Sequence, residues 1–200
     1  MKLLLTSGGV TNPSIRDALV ELLGKPIEEC SALYVPPALW GHPMCGPESV
    51  IRGPESSSDE GGLCRLGWKS VGVLELTALP SLPTARWHPW VQEIDALLVD
   101  GGEAVYLARW VRESGLEELI PSLVDTVWVG LSAGSMALTP RIGQEFIELD
   151  PSGGDDALGL VDFSIFPHLD YPGWDDNTLD AARRWAAKIE GQSYAIDDQT

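Results

Sequence analysis

One run limits what this chain can fold into more than any other: Val127-Trp128-Val129-Gly130-Leu131-Ser132-Ala133-Gly134-Ser135-Met136-Ala137-Leu138. Its first part, Thr126 to Val129, is apolar and β-branched and reads as a buried strand. The run breaks at Gly130 and restarts at Ala133 with small, helix-compatible residues. Between them lies Gly130-x-Ser132-x-Gly134, the spacing of a nucleophile elbow. A sharp strand-to-helix turn lifts the serine hydroxyl above the sheet. Glycines two residues to either side let neighbouring backbone pass without a Cβ in the way. The amide of Ala133, at the start of the following helix, then points to where an oxyanion would form. A Gly/Ser-rich turn with no catalytic part satisfies the same pattern, so the elbow has to be weighed together with partners elsewhere in the chain.

Around the elbow, short apolar runs alternate with helical spacing. Lys2 to Thr6 reads as a first strand, with Ser7-Gly8-Gly9 as its turn, short of the fuller GxGxxG or GK[ST] phosphate patterns. Ser14 to Leu23 has helical periodicity and stops at Gly24. Ala32 to Val35, Val71 to Leu76 and Ala96 to Val99 read as further strands, the last followed by Gly101-Gly102 and a helix from Ala104 to Val111. Trp87 to Ile94 reads as a short helix or turn with Trp87 and Trp90 on the sheet and His88 exposed, and Leu116 to Val124 as helical. Leu158 to Phe166 is strand-like, Asp175 to Glu190 reads as a helix capped among Asp175, Asp176 and Asn177, and a last strand begins at Tyr194. Residues 36–62 break the pattern: rich in Pro, Gly and Ser, they read as a long loop with at most one short helix, carrying a solvated His42. Continuous apolar strands separated by helices predict an α/β fold with a mostly parallel sheet covered on both faces. Ligands in such folds sit at the carboxyl ends of the strands, where Gly101-Gly102 and Ser132 both fall.

Two hundred residues suit one domain, spanning 1–200, and 44% hydrophobic content supports a folded core. A net charge of −17 argues against nucleic acid and anionic membrane as partners. Three cysteines without a CxxC give no disulfide or zinc framework, which points to a reducing cytoplasmic setting. No histidine-rich ligand set predicts a metal, and no cofactor motif is present. No stretch approaches the roughly 20 apolar residues of a membrane span.

A serine nucleophile needs a base, and the base needs a group that holds its tautomer. Of the three histidines, His42 and His88 sit in early loops. His168 follows Pro167 at a predicted strand end and is the candidate base. Asp197 and Asp198 follow the last strand and are the candidate acids, with Asp170 a weaker one. The order serine, histidine, acid disfavours an α/β-hydrolase, which runs serine, acid, histidine.

These residues fall in four blocks: Leu97-Leu98-Val99-Asp100-Gly101-Gly102-Glu103, Val129 to Gly134, Phe166-Pro167-His168 and Ala195-Ile196-Asp197-Asp198. In that order and spacing the chain resembles the dipeptidase E (α-aspartyl dipeptidase) family of serine peptidases, whose cousins include cyanophycinase. The resemblance implies a flavodoxin-like three-layer sandwich related to class I glutamine amidotransferases, which would carry cysteine where this chain has Ser132. It implies Ser132 as nucleophile, His168 as base and Asp198 as acid in a place where the family usually has glutamate, with Asp197 as alternate. It also implies an oxyanion hole from the amides of Gly102 and Ala133.

The chain departs from the family pattern in three further places. Asp100 stands where a first glycine is usual. Leu179 stands where aspartate-specific members carry an arginine, with Arg183 and Arg184 one turn further on. The sequence stops at Thr200, inside what reads as a strand, so a truncated end is expected. Tyr171 and Trp174, after His168, are candidates for an apolar or aromatic substrate pocket, and Arg183 for reading a carboxylate. The expectation is a serine exopeptidase of dipeptides or short peptides, with altered, non-aspartyl specificity, acting as a monomer or homodimer. The 36–62 loop is expected to cover its site. The alternatives are a cyanophycinase-like hydrolase of isopeptides or small amides and a ligand-binding relative without turnover.

Overall fold

The computed structural model describes residues 1–55, 62–150 and 152–200. Five strands, β1 (Lys2–Thr6), β2 (Ser31–Val35), β3 (Ser70–Val73), β4 (Ala96–Val99) and β5 (Val127–Leu131), form one sheet in the order β1-β5-β4-β2-β3. Every pair in it is parallel. Alternation along each strand feeds two cores. Leu97 and Val99 of β4 and Trp128 of β5 face one side, whereas Ala96, Leu98, Val127 and Val129 face the other. On the first side lie α4 (Thr84–Gln92) and α5 (Ala104–Glu113), through Trp87, Val91, Leu107 and Val111. On the second lies α1 (Pro13–Leu23), through Ile15 and Leu19. The result is the expected α/β sheet covered on both faces.

Local chemistry sets the ends of α1. The Asn12 side chain accepts the Ile15 N–H at 3.0 Å, Pro13 opens the first turn, and Gly24 closes the helix at φ 73°. α5 is capped by Glu103, whose carboxylate accepts the Tyr106 N–H although the residue is only 1% exposed. The short helix α6 (Leu116–Leu119) and a 3₁₀ turn over Ile120–Ser122 replace the single helix expected over 116–124, because Pro121 cannot donate to a continuing α ladder.

Elsewhere the structure departs from the sequence expectation. The 36–62 stretch holds two short helices, α2 (Ala38–Gly41) and α3 (Ser49–Glu55), and most of the acidic, serine-rich run from Glu55 to Gly62 lies outside the described residues. The strand expected over 71–76 ends at Val73. Glu75 accepts the Thr77 N–H and starts a 3₁₀ turn over Leu76–Ser81. Trp87 is fully buried, but Trp90 is 44% exposed and does not pack on the sheet; His88 is half-buried, with its ring edge-on to Trp87 at 4.4 Å.

After the elbow helix α7 (Ala133–Met136) the chain leaves the main sheet. Only Phe163–Phe166 of the expected 158–166 strand forms β6, which pairs with β7 (Gln192–Ala195) in a separate parallel ribbon. Leu158 and Leu160 instead donate their N–H groups to the Ala137 and Leu138 carbonyls, at 2.9 and 2.8 Å. α8 (Leu179–Ala186) is shorter than expected and is capped by Thr178 rather than by Asp175, Asp176 or Asn177. It seats Ala182 and Trp185 with Phe166 in a small third core, and the Trp185 indole donates to the Ile142 carbonyl at 2.8 Å.

The connection from α7 to β6 is pinned by Asp155, which is 3% exposed. Burial opposes its ionisation, but Arg141 (Nε to Oδ2, 3.1 Å) and the Gly143 N–H (3.0 Å) overcome that and hold the carboxyl below its ordinary range. A depressed carboxyl stabilises the fold above the unfolded-state value and loses that contribution as pH falls through the native one. Asp155→Asn is therefore expected to unfold at a lower temperature than wild type at neutral pH. Thermal melts should show the two converging as pH drops below about 4.

Candidate active site

Strand register builds the site. β5 lies between β1 and β4, with Thr6 beside Leu131 and Val99 beside Gly130. The chain therefore leaves three neighbouring strands at Ser7, Ser132 and Asp100, all at one sheet edge. Ser132 sits at φ 49°, ψ −109°, a strained setting for a residue with a Cβ. Its N–H donates to the Thr6 carbonyl at 3.0 Å, and its carbonyl accepts the Ser135 and Met136 N–H groups at 2.9 Å each. The flanking glycines are required by close approach. A Cβ on Gly134 would lie 2.2 Å from the Val99 carbonyl oxygen, and one on Gly130 would lie 2.7 Å from Gly134 backbone. Ser135 is fully buried and faces the sheet, its hydroxyl 2.8 Å from the Thr6 carbonyl and 2.9 Å from that of Gly130.

The β6–β7 ribbon delivers the other two groups. His168 follows β6, and its Nε2 lies 2.8 Å from Ser132 Oγ. Asp198 follows β7, and its Oδ1 lies 2.7 Å from His168 Nδ1. The shorter aspartate side chain thus makes full hydrogen-bond contact. Asp197 turns away: its Oδ1 accepts the Gln199 N–H at 3.0 Å and the Thr200 hydroxyl at 2.8 Å. Asp170 holds φ 54° in the loop beyond His168, where its N–H donates to the Asn177 carbonyl at 2.7 Å.

Two contributors had no separate signal in the sequence reading. Ser7 is fully buried and donates to Asp198 Oδ1 at 2.6 Å. Asn177, expected among helix caps, donates instead to the Pro167 and His168 carbonyls at 3.0 and 2.8 Å, while its own carbonyl accepts the Asp170 N–H at 2.7 Å. That clamp fixes the turn in which His168 holds φ 56°. The register that sets Ser7 beside Ser132 is the signal that could have found the first. The second lacks one, because its asparagine fits a helix cap equally well.

On the opposite side of Ser132 lies the Asp100-Gly101-Gly102 turn. Gly102 has φ 132°, and a Cβ there would lie 2.3 Å from the Ala38 carbonyl oxygen. Asp100, where a glycine was expected, accepts the Gly101 N–H at 2.7 Å and the Tyr34 hydroxyl. Burial pushes its carboxyl above the ordinary range against the pull of these two donors. Ala133, first in α7, has an N–H with no intrahelical acceptor.

A crevice of 280 Å³ opens over Ser132 and His168. Gly102 and Met136 line it from the sheet edge, Glu145, Phe146 and Glu148 from the α7–β6 connection, and Trp174 and Asn177 from the loop after His168. His42, Pro43 and Met44 reach it from the 36–62 stretch, so His42 faces the crevice rather than open solvent. Trp174 stands edge-on to His168 at 4.9 Å; Tyr171 lies behind it, 5.2 Å from Trp174 and 5.9 Å from His168. Arg183 does not reach the crevice. It is exposed, pairs with Asp180 at 3.2 Å, and lines a separate groove with Leu179, because α8 turns this face away from His168. No arginine or lysine lines the crevice among the described residues. Among the described residues, too, no group of three or more His, Cys, Asp or Glu could hold a metal ion, and no helix is long and apolar enough to cross a membrane.

No curated protein sequence matches the chain. Its fold is similar to that of a protein from Listeria monocytogenes EGD-e provisionally described as a peptidase E, at TM-score 0.67 and 18% identity over 99% of this chain and 91% of that one. It is also similar to a peptidase from an acI-B1 actinobacterium, at TM-score 0.66 and 16% identity over 98% of this chain and 79% of that one. At such identities the likeness is one of fold. The family model for peptidase family S51 matches residues 3–200, and with that match over nearly its whole length the chain belongs to peptidase family S51.

Proposed function

We propose that this peptidase is a serine exopeptidase of dipeptides or short peptides. The observation that carries the reading is the unbroken line from Ser132 Oγ through His168 to Asp198, with links of 2.8 and 2.7 Å. In this reading Ser132 Oγ attacks the peptide carbonyl carbon while His168 Nε2 takes its proton. Asp198 accepts the Nδ1–H and holds the tautomer that leaves Nε2 free to act. The amides of Gly102 and Ala133 receive the oxyanion. His168 then gives its proton to the leaving amine, and water, activated by the same nitrogen, releases the acyl group from Ser132.

Size and charge narrow the substrate. A crevice of 280 Å³ lies at the lower edge of ligand-pocket volumes and suits one or two residues better than a polypeptide segment. Met44 and its neighbours restrict it further from the 36–62 side. With Glu145 and Glu148 at its wall and no arginine or lysine among its described lining residues, the crevice offers an aspartyl side chain no guanidinium or ammonium partner. Trp174 and Phe146 offer apolar surface instead. The reading is of a cytosolic enzyme that needs no metal or cofactor.

Two measurements test this. A serine-directed fluorophosphonate is expected to label Ser132 stoichiometrically and leave Ser135 untouched, with Ser132→Ala abolishing labelling and His168→Ala slowing it by about 10³-fold or more. Folded wild-type protein that does not label would point to the ligand-binding relative. On a dipeptide panel, Leu-Leu and Phe-Leu should be cleaved at least about tenfold faster, by kcat/KM, than Asp-Leu, since a mismatched carboxylate costs on the order of 1 to 3 kcal/mol. Preference for β-Asp-Leu would move the assignment to an isopeptide hydrolase.

A further inference from the structure

We propose that Ser7 is a positioning residue of this site, setting both the orientation and the basicity of the His168–Asp198 pair; the proposal rests on the peptidase reading above. Ser7 occupies the first position beyond β1, next to Ser132 across the β1–β5 register. It is fully buried, so its hydroxyl meets neither solvent nor substrate. That hydroxyl has one proton and two lone pairs. The proton goes to Asp198 Oδ1 at 2.6 Å, the same oxygen that His168 Nδ1 meets at 2.7 Å. A lone pair accepts the backbone N–H of His168 at 2.7 Å, and Nδ1 itself lies 3.4 Å away.

One atom therefore touches the histidine backbone, approaches its ring and fixes the ring's partner. The backbone bond matters because His168 holds φ 56°, a setting that an L residue keeps only when its surroundings enforce it. The bond to Asp198 matters because a hydroxyl donor spreads the charge of the carboxylate and limits its pull on the imidazolium. The neighbouring residue admits the arrangement: a Cβ on Gly8 would lie 2.7 Å from Asp198 Cβ, so only glycine lets the acid come this close. The Ser7 N–H donates to the Thr200 carbonyl at 3.2 Å, and the Thr11 hydroxyl donates to the Asp198 carbonyl at 2.5 Å. The strand that carries Ser7 and the segment that carries the acid are thus held to each other independently of the hydroxyl.

A merely structural serine and a positioning serine differ in what their loss does to titration. Without the Ser7 donor, Asp198 becomes the stronger acceptor and favours protonated His168, so the active base form emerges at higher pH. The test is the rate of Ser132 labelling by the fluorophosphonate across pH 5 to 10, read together with thermal melts. Ser7→Ala is expected to lower the plateau rate by about tenfold or more and to move the pH midpoint upward by about half a unit or more. Ser7→Cys, whose somewhat larger thiol donates only weakly, should shift the midpoint the same way by less, and it carries the same test if Ser7→Ala does not fold. A lower melting temperature with an unmoved pH midpoint in both variants gives Ser7 a purely structural role and overturns the proposal. Wild-type protein that fails to label overturns the peptidase reading, and this assignment with it.

Discussion

Beneath the candidate nucleophile, one hydroxyl ties two strands together. Ser135 Oγ lies within 2.9 Å of the Thr6 and Gly130 carbonyls and accepts the Thr6 N–H at 2.9 Å. These groups lie at the point where β1 and β5 end and their ladder runs out. Left unpaired in a dry interior, the Thr6 N–H would cost about 1 to 3 kcal/mol; the two carbonyls also accept the Ser132 N–H and the Thr6 hydroxyl, at 3.0 and 2.7 Å. Their satisfaction from below lets the chain turn sharply above, where Ser132 takes its strained backbone setting. The distances that matter for chemistry follow from this junction. It holds the first residue beyond β1 beside the first residue beyond β5, and the acid and histidine are then brought to that pair.

The sheet and elbow were legible in the sequence because their signals are local. A parallel strand covered on both faces must be apolar along its length, and the glycines around Ser132 fall within five residues of sequence, although Gly134 answers the distant Val99 carbonyl as well as the turn itself. The second ribbon was less legible. Leu158 to Phe166 looks apolar enough for one strand, yet its first half spends its N–H groups on the carbonyls after α7, a choice made by tertiary packing. Asn177 shows the same limit. Its side chain suits a helix cap, and only the folded loop reveals that it clamps the histidine turn while Thr178 caps α8. Arg183 was ambiguous because helical phase cannot be fixed without the helix boundary. With α8 starting at Leu179, that arginine points to solvent.

Asp100 and Asp198 looked like lesions when set against a family pattern, and the structure gives each a physical account. Asp198 reaches its histidine because Gly8 clears its path. Asp100 turns its carboxylate back onto the Gly101 N–H and the Tyr34 hydroxyl, so side-chain bonds brace a turn that a glycine would leave to the backbone alone. Both substitutions keep the geometry by spending a local contact.

The residues that complete the constellation lie far apart in sequence: Ser7 follows β1, and Asp198 follows β7. A polypeptide growing from its amino terminus has Ser132 and then His168 in hand well before the acid exists. Until the segment after β7 joins β1, His168 lacks the carboxylate of Asp198 and Ser7 lacks its acceptor. In such a molecule the candidate site takes shape in the order in which its parts are synthesised. Bringing together residues so far apart in sequence is also a late, entropically demanding event in folding, so the line from Ser132 to Asp198 closes only as the long-range contacts between β1 and the segment after β7 form.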